Sequence, residues 1–196
     1  MLAGIVDLRK DRAMELHAIL KAQRAAAEAE RPVPLSVRKD RLSRAIRMTV
    51  ENAEDLCAAM SADFGHRSRE MSMLTDIAGS VRSLKHARKH AGRWMKRERR
   101  KLDFPLGLLG ARGWIEYQPK GVVGVISPWN FPVQLTMSPL AGIFAAGNRA
   151  MVKSSEFTPR TSALFEELAG RYFDPTELDR KSTRLNSSHT DISRMP

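Results

Sequence analysis

The chain has 196 residues, is 42% hydrophobic and carries a formal net charge of +11. That size and apolar content suffice for a domain with a buried core and exclude disorder throughout; the charge is read as a solvated basic face in preference to an acidic partner. A single cysteine, Cys57, excludes an intrachain disulfide, and no stretch approaches the ~20 apolar residues of a membrane span, so a soluble cytoplasmic protein is expected.

The first half reads as helical. From about Ile5 to Arg31 the chain is rich in Ala, Glu, Lys and Arg, with Leu16, Ile19 and Leu20 marking an apolar side and Pro32 and Pro34 closing it. A second helix is expected after Ser36 as N-cap, with Leu42, Ile46, Val50, Ala53, Leu56 and Met60 at three- and four-residue steps and Gly65 as its stop. Cys57 neighbours that apolar stripe and has no basic cluster beside it, so it is a packing residue and not a nucleophile. A third helix is expected from near Arg69 to Met95, on Leu74, Ile77, Val81, Leu84, Ala91 and Trp94. Its other face and the residues after it hold a run of arginines and lysines from Arg82 to Lys101, with His86 and His90 among them. Such charge could track a nucleic-acid backbone. No stacking array of aromatics accompanies it, and the two histidines lack a third ligand, so a solvated or oligomer surface is the preferred reading and a basic polyanion-binding module the alternative.

Asp103 to Gly110 has the Pro and Gly density of a connecting loop, and Trp114 to Gln118 alternates as a strand does. The character of the chain then changes to α/β. Gly121-Val-Val-Gly-Val-Ile126 is a β-branched run suited to a strand buried on both faces, ended by Pro128 and Pro132, which stiffen Trp129-Asn130-Phe131 into a loop. A buried helix comes next, on Leu135, Met137, Leu140, Ile143 and Phe144, ending near Gly147-Asn148; Pro139 either starts it, the reading its fit to a first helical position favours, or kinks it. Ala150-Met-Val152 reads as a strand, Lys153-Ser-Ser-Glu156 as a polar loop, and Thr158-Pro159 as the N-cap and first position of the next helix. Strand, loop, helix, repeated, implies right-handed crossovers and a parallel sheet. Both polar loops then share one sheet edge and can face one ligand. The Glu156 carboxylate suits ribose hydroxyls, the Lys153 ammonium hydroxyls or phosphate, and the Asn130 amide a developing oxyanion. Neither G-x-G-x-x-G nor a Walker loop is present.

Ile126-Ser-Pro-Trp-Asn-Phe-Pro132 matches P-W-N-[FY]-P, and Ala146 to Pro159 resembles A-G-N-x-x-[VLI]-x-K-P-S-E-x-T-P. Together with Ser61-Ala-Asp-Phe-Gly65 and Ile115 to Gly121, these motifs are similar to the aldehyde dehydrogenase superfamily, particularly its shorter coniferyl aldehyde dehydrogenase branch, over roughly residues 5 to 178. Ser154 departs from the family's usual proline. The resemblance implies a truncated N-terminal part of a Rossmann-like NAD(P)-binding domain. Residues 1–110 would be its helical segment and 111–178 a partial α/β unit. By position, Asn130 would stabilise the oxyanion, Lys153 and Glu156 would hold the adenosine ribose, and Ile126, Ser127 and Trp129 would line the nucleotide or nicotinamide site. NAD is favoured over NADP, because Glu156 would repel a 2′-phosphate. The implied reaction is oxidation of an aldehyde, an aromatic one such as coniferyl aldehyde included, to the acid, in an enzyme expected to be a homodimer. The family's nucleophilic cysteine and general-base glutamate have no counterpart here, so the chain itself is expected to be inactive. Residues 179–196 are polar and lack periodicity, reading as a non-native or disordered tail in which His189 is no site.

Overall fold

The computed structural model describes residues 2–179, with side chains from Met14 onward; residues 180–196, and with them nearly all of the expected tail, lie outside the described residues. Helix α1 spans Leu2–Ala29, α2 Leu35–Glu51 and α3 Ala53–Phe64. The single helix expected from Ser36 to Gly65 is thus two. Asn52 interrupts it at φ −116°, ψ 24°, because its side-chain amide donates to the Met48 carbonyl (2.9 Å) and to the Tyr172 hydroxyl (3.2 Å). An asparagine that bonds its own preceding turn competes with helix continuation. Nor does Ser36 cap α2, which starts one residue earlier behind Pro34 without any side-chain cap. Gly65 does end α3, at φ +85°.

Ser68 caps α4 (Arg69–Ser72), its hydroxyl accepting from the Met71 amide at 3.1 Å. The chain then passes through a π-helical turn, Met73–Ala78, into α5 (Gly79–Trp94). One extra residue in a turn rotates the helical face before it relative to the face after it. Leu74, expected on the apolar side, is therefore 71% exposed, whereas Asp76 is fully buried. The basic run does not stay helical: Glu98–Arg100 forms β1, paired antiparallel with β2 (Gly113–Ile115), so the expected strand at Trp114 begins and ends earlier than its sequence pattern suggests.

Strands β3 (Val122–Ile126), β4 (Arg149–Lys153) and β5 (Leu178–Asp179) form a parallel sheet in that order, as the alternation of elements requires. Asp179, counted with the tail from the sequence, is a buried member of β5. Helix α6 (Gln134–Ala145) connects the first two strands and α7 (Pro159–Tyr172) the next two. Two expectations change here. Helix α6 begins well before Pro139, which sits inside it. Strand β3 is not buried on both faces: only Val125 is buried and Ile126 is 82% exposed, because β3 is the edge of the described sheet while β4 is central. The core joins the two halves, with Leu42, Met48, Leu56, Met60 and Leu84 from the helices meeting Met137, Leu140, Phe144 and Leu168, all at or below 1% exposure. Cys57 belongs to it, and burial, then the nearby Glu54 charge, pushes its thiol pKa up.

Candidate functional site

The two polar loops leave the same edge of the sheet. Ile126 lies in register with Lys153, and the Ser127 amide extends the ladder by donating to the Lys153 carbonyl at 2.9 Å. Open α/β sheets bind ligands at this C-terminal edge. Ser127 is buried, and the Thr136 hydroxyl lies 2.7 Å from its Oγ and 2.6 Å from the Pro132 carbonyl, tying the two ends of the loop to the first turn of α6. Lys153 Nζ donates to Glu156 Oε2 at 3.0 Å, and both side chains keep about a quarter of their surface, at 21% and 28%. Ser154 and Ser155 between them are buried, so the serine that replaces the motif's proline is packed and not loose. The void between the loops, lined by Ser127, Thr136, Ser154 and Ser155 among others, is only about 10 Å³. The loops therefore close on each other and offer a ligand only their outer side.

On that outer side stand Trp129, 52% exposed, and Asn130. The Asn130 carboxamide makes no hydrogen bond among the described residues, leaving its N–H donors available. Its backbone is held firmly. Arg67 Nη1 donates to the Asn130 carbonyl at 2.7 Å, and its guanidinium lies 5.0 Å from the Phe64 ring centre and 5.1 Å from that of Phe131. Arg67 Nη2 donates to Asp76 Oδ2 at 2.6 Å. The other Asp76 oxygen accepts the Val133 and Gln134 amides, each at 3.1 Å. A carboxylate on the π-turn thus caps α6 from a distance, which is why that helix starts at Gln134 and not at Pro139.

A second remote carboxylate serves the other loop. Thr158 is the expected cap of α7, yet its side chain makes no cap bond. Asp63, at the end of α3, accepts the Arg160 amide at 3.0 Å and the Thr161 amide and hydroxyl at 2.8 Å each. Phe64 beside it packs on Trp129 at 6.2 Å. The short stretch from Asp63 to Arg67 therefore braces both loops. Of these residues, the sequence marks the Ser61–Gly65 stretch only as a motif and gives no sign of the roles of Arg67, Asp76 and Thr136. The one local signal is an aspartate two positions after a leucine in an otherwise apolar helical stripe, and it is not enough to place a cap 57 residues away.

Among the expected site residues, the structure brings Ile126, Ser127, Lys153 and Glu156 together at the strand ends and sets Trp129 and Asn130 on the adjoining loop. Chemically, the Lys153–Glu156 pair offers one donor group and one acceptor group beside Ile126, a bare apolar surface. That combination fits a ribose with an attached flat base, and the residues present are compatible with a dinucleotide.

The model of the aldehyde dehydrogenase family matches residues 3–176. A coniferyl aldehyde dehydrogenase of a Pseudomonas species is 57% identical over 166 residues, which cover 85% of this chain and 34% of that protein. A probable coniferyl aldehyde dehydrogenase of Caulobacter vibrioides is 50% identical over 161 residues, 82% of this chain and 33% of the relative. The chain thus spans about a third of the length of the curated relatives it matches. Among solved structures, the substrate-bound state of Staphylococcus aureus AldH superposes with a TM-score of 0.77 at 28% identity, over 84% of this chain and 35% of that one. A succinic semialdehyde dehydrogenase of Streptococcus pyogenes, in complex with NADP+, shares the fold at a TM-score of 0.71 and 19% identity, over 83% of this chain and 34% of that one. With the family's model running over nearly all the described residues, and with both polar loops held at one sheet edge, this chain belongs to the aldehyde dehydrogenase family.

Proposed function

We propose that this chain is the N-terminal, nucleotide-holding part of an NAD(P)-dependent aldehyde dehydrogenase that oxidises an aldehyde, of the aromatic class that includes coniferyl aldehyde, to the carboxylic acid. The observation that carries this reading is the placement of Asn130. Its carboxamide is free of internal hydrogen bonds while its backbone is clamped by Arg67, on the loop beside the Lys153–Glu156 pair. Asn130 donates to the oxyanion that forms as the aldehyde carbonyl is attacked, an interaction whose loss typically costs ~3 kcal/mol of transition-state stabilisation. Lys153 and Glu156 bind the hydroxyls of the adenosine ribose, and Ile126, Ser127 and Trp129 line the nucleotide. The dinucleotide, when bound, supplies the hydride acceptor. Glu156 disfavours a 2′-phosphate on that ribose, so NAD is preferred to NADP. Residues 1–110 form the helical segment and 111–178 the α/β unit of this cofactor domain, within a homodimeric cytoplasmic enzyme. Among the described residues no helix is long and apolar enough to cross a membrane.

The test is nucleotide binding by the 196-residue chain, monitored by saturation-transfer NMR with NAD and NADP. NAD should bind saturably and more tightly than NADP, and Lys153→Ala and Glu156→Ala should each weaken it. Folded protein that binds neither nucleotide, or binds both unaltered in the two variants, would overturn the assignment.

A further inference from the structure

A cavity of about 720 Å³ opens at the C-terminal end of α6, between it, the C-terminal turn of α5, the start of β1, and Tyr117-Gln118. It shares no lining residue with the Asn130 or Lys153 loops. Its volume is that of a small-molecule site. Trp94, Met95 and Tyr117 provide apolar walls, and Gly142, Ala145 and Ala146 of α6 give a smooth floor.

The charges around it are one-sided. Arg38 lines the cavity and is only 7% exposed. Its Nε donates to the Val33 carbonyl at 3.2 Å and its Nη1 to the Ala145 carbonyl at 3.1 Å, while Nη2 makes no hydrogen bond among the described residues. No carboxylate pairs with it among the described residues. Burial, and then the Arg41 charge, lower its pKa accordingly. The guanidinium is also seated closely against the backbone: at Gly147, where φ is +80°, an added Cβ would come within 2.9 Å of Arg38 Cζ. Arg93 and Lys96 at the rim form no ion pair among the described residues. The remaining rim charges are spent elsewhere, Arg97 on Glu116 and Glu98 on Arg100, each at 2.6 Å.

A buried cation without a carboxylate is costly, and an anion reaching it would relieve that cost. We propose that this cavity binds a small organic anion with an apolar body, a carboxylate carried on an aryl or alkyl group. The carboxylate meets Arg38, with Arg93 and Lys96 drawing it in, and the apolar body lies between Trp94, Tyr117 and the floor of α6. Guanidinium forks suit carboxylates better than other anions of this size. The proposal stands apart from the nucleotide reading, because the two sites share no residue.

The experiment uses the 196-residue chain with 4-phenylbutyrate as probe and 4-phenylbutan-1-ol as its uncharged counterpart, monitored by saturation-transfer NMR and calorimetry. The acid should bind one to one, and the alcohol about tenfold or more weakly, since hydrogen bonds to a charged group carry that margin. Gly142→Leu should abolish acid binding. A Cβ at that position meets nothing within 4 Å, and leucine favours a helix over glycine, so the variant fills the cavity without unfolding the protein. Arg38→Met should bring acid and alcohol to equal affinity. Equal binding of acid and alcohol by the unaltered chain would overturn the proposal. So would acid binding that survives Gly142→Leu, or no saturable binding in the millimolar range.

Discussion

Asp76→Asn is the most informative single change, because it keeps the shape of the side chain and removes only its charge. In the structure that carboxylate has no solvent exposure and its partner Arg67 has 12%. One oxygen serves Arg67 and the other the two amides that open α6. An asparagine can keep a carbonyl toward only one of these sets and must turn its NH2 toward the other. Breaking a buried pair by removing one partner costs about 3–5 kcal/mol, and losing a helix cap about 1 kcal/mol. An isosteric amide retains part of the hydrogen bonding, so the expected loss is about 3 kcal/mol. Urea denaturation monitored by circular dichroism measures it. Hydrogen exchange should in addition show faster exchange at residues 130–137, where the loop and the first turn of α6 are released together. A loss below about 0.5 kcal/mol, the usual range for an unimportant surface change, would refute the idea that Asp76 and Arg67 organise this loop. The double variant with Arg67→Gln should be less destabilised than the two single changes summed, since each single change strands the other's partner.

Three further outcomes are expected. Glu177 accepts from Arg41 and Arg44; burial alone would raise its pKa, but those hydrogen bonds and charges together lower it from 4.5 to about 2. Its contribution is therefore complete above about pH 4.5 and lost as pH falls toward 2, and it amounts to about 3 kcal/mol. Urea titrations at pH 7 and pH 2 should show Glu177→Gln less stable than the unaltered chain at the first and within about 0.5 kcal/mol of it at the second, and parallel pH profiles would contradict this. Asp63→Ala should destabilise by about 1–2 kcal/mol, more than Thr158→Val, because the aspartate and not the threonine caps α7; the reverse order in thermal melts would return the cap to Thr158. Finally, the purified chain should show no NAD-dependent aldehyde turnover, and its lone thiol, buried in α3, should react with a disulfide reagent only at the rate of unfolding. Turnover by the purified chain, or fast labelling of the native state, would contradict it.

Arg41 shows how far the ionic framework lies from any local signal. It is 1% exposed and joins Glu30 of the α1–α2 connection to Glu177 before β5, while Arg149 reaches the same Glu30 from the start of β4. In the sequence these are ordinary charges on amphipathic helices. Only their convergence around the ends of the sheet makes them one network. Gln23 behaves likewise, a polar position on α1 whose buried amide donates to the Ala150 and Pro175 carbonyls.

The features that the sequence determined by itself are those that can be encoded in a short window. The order of strand, loop and helix after Gly121 comes from β-branched runs, prolines and helical spacing, and that order fixes a parallel sheet with both polar loops at one edge. Asn130, Lys153 and Glu156 were equally legible as candidate site residues, because two long motifs contain them. Tertiary structure decided which groups hold these residues in place. The caps of α6 and α7 come from Asp76 and Asp63, in chain segments remote from the helices they serve, and the π-turn that buries Asp76 has no compositional mark. A helix end needs an acceptor for its free N–H groups, but the local chain does not say which one will supply it. Thr158 has the right chemistry at the N-cap position and its side chain caps nothing, because Asp63 is brought there instead, while Ser36 falls inside the first turn of α2, an end that no side chain caps.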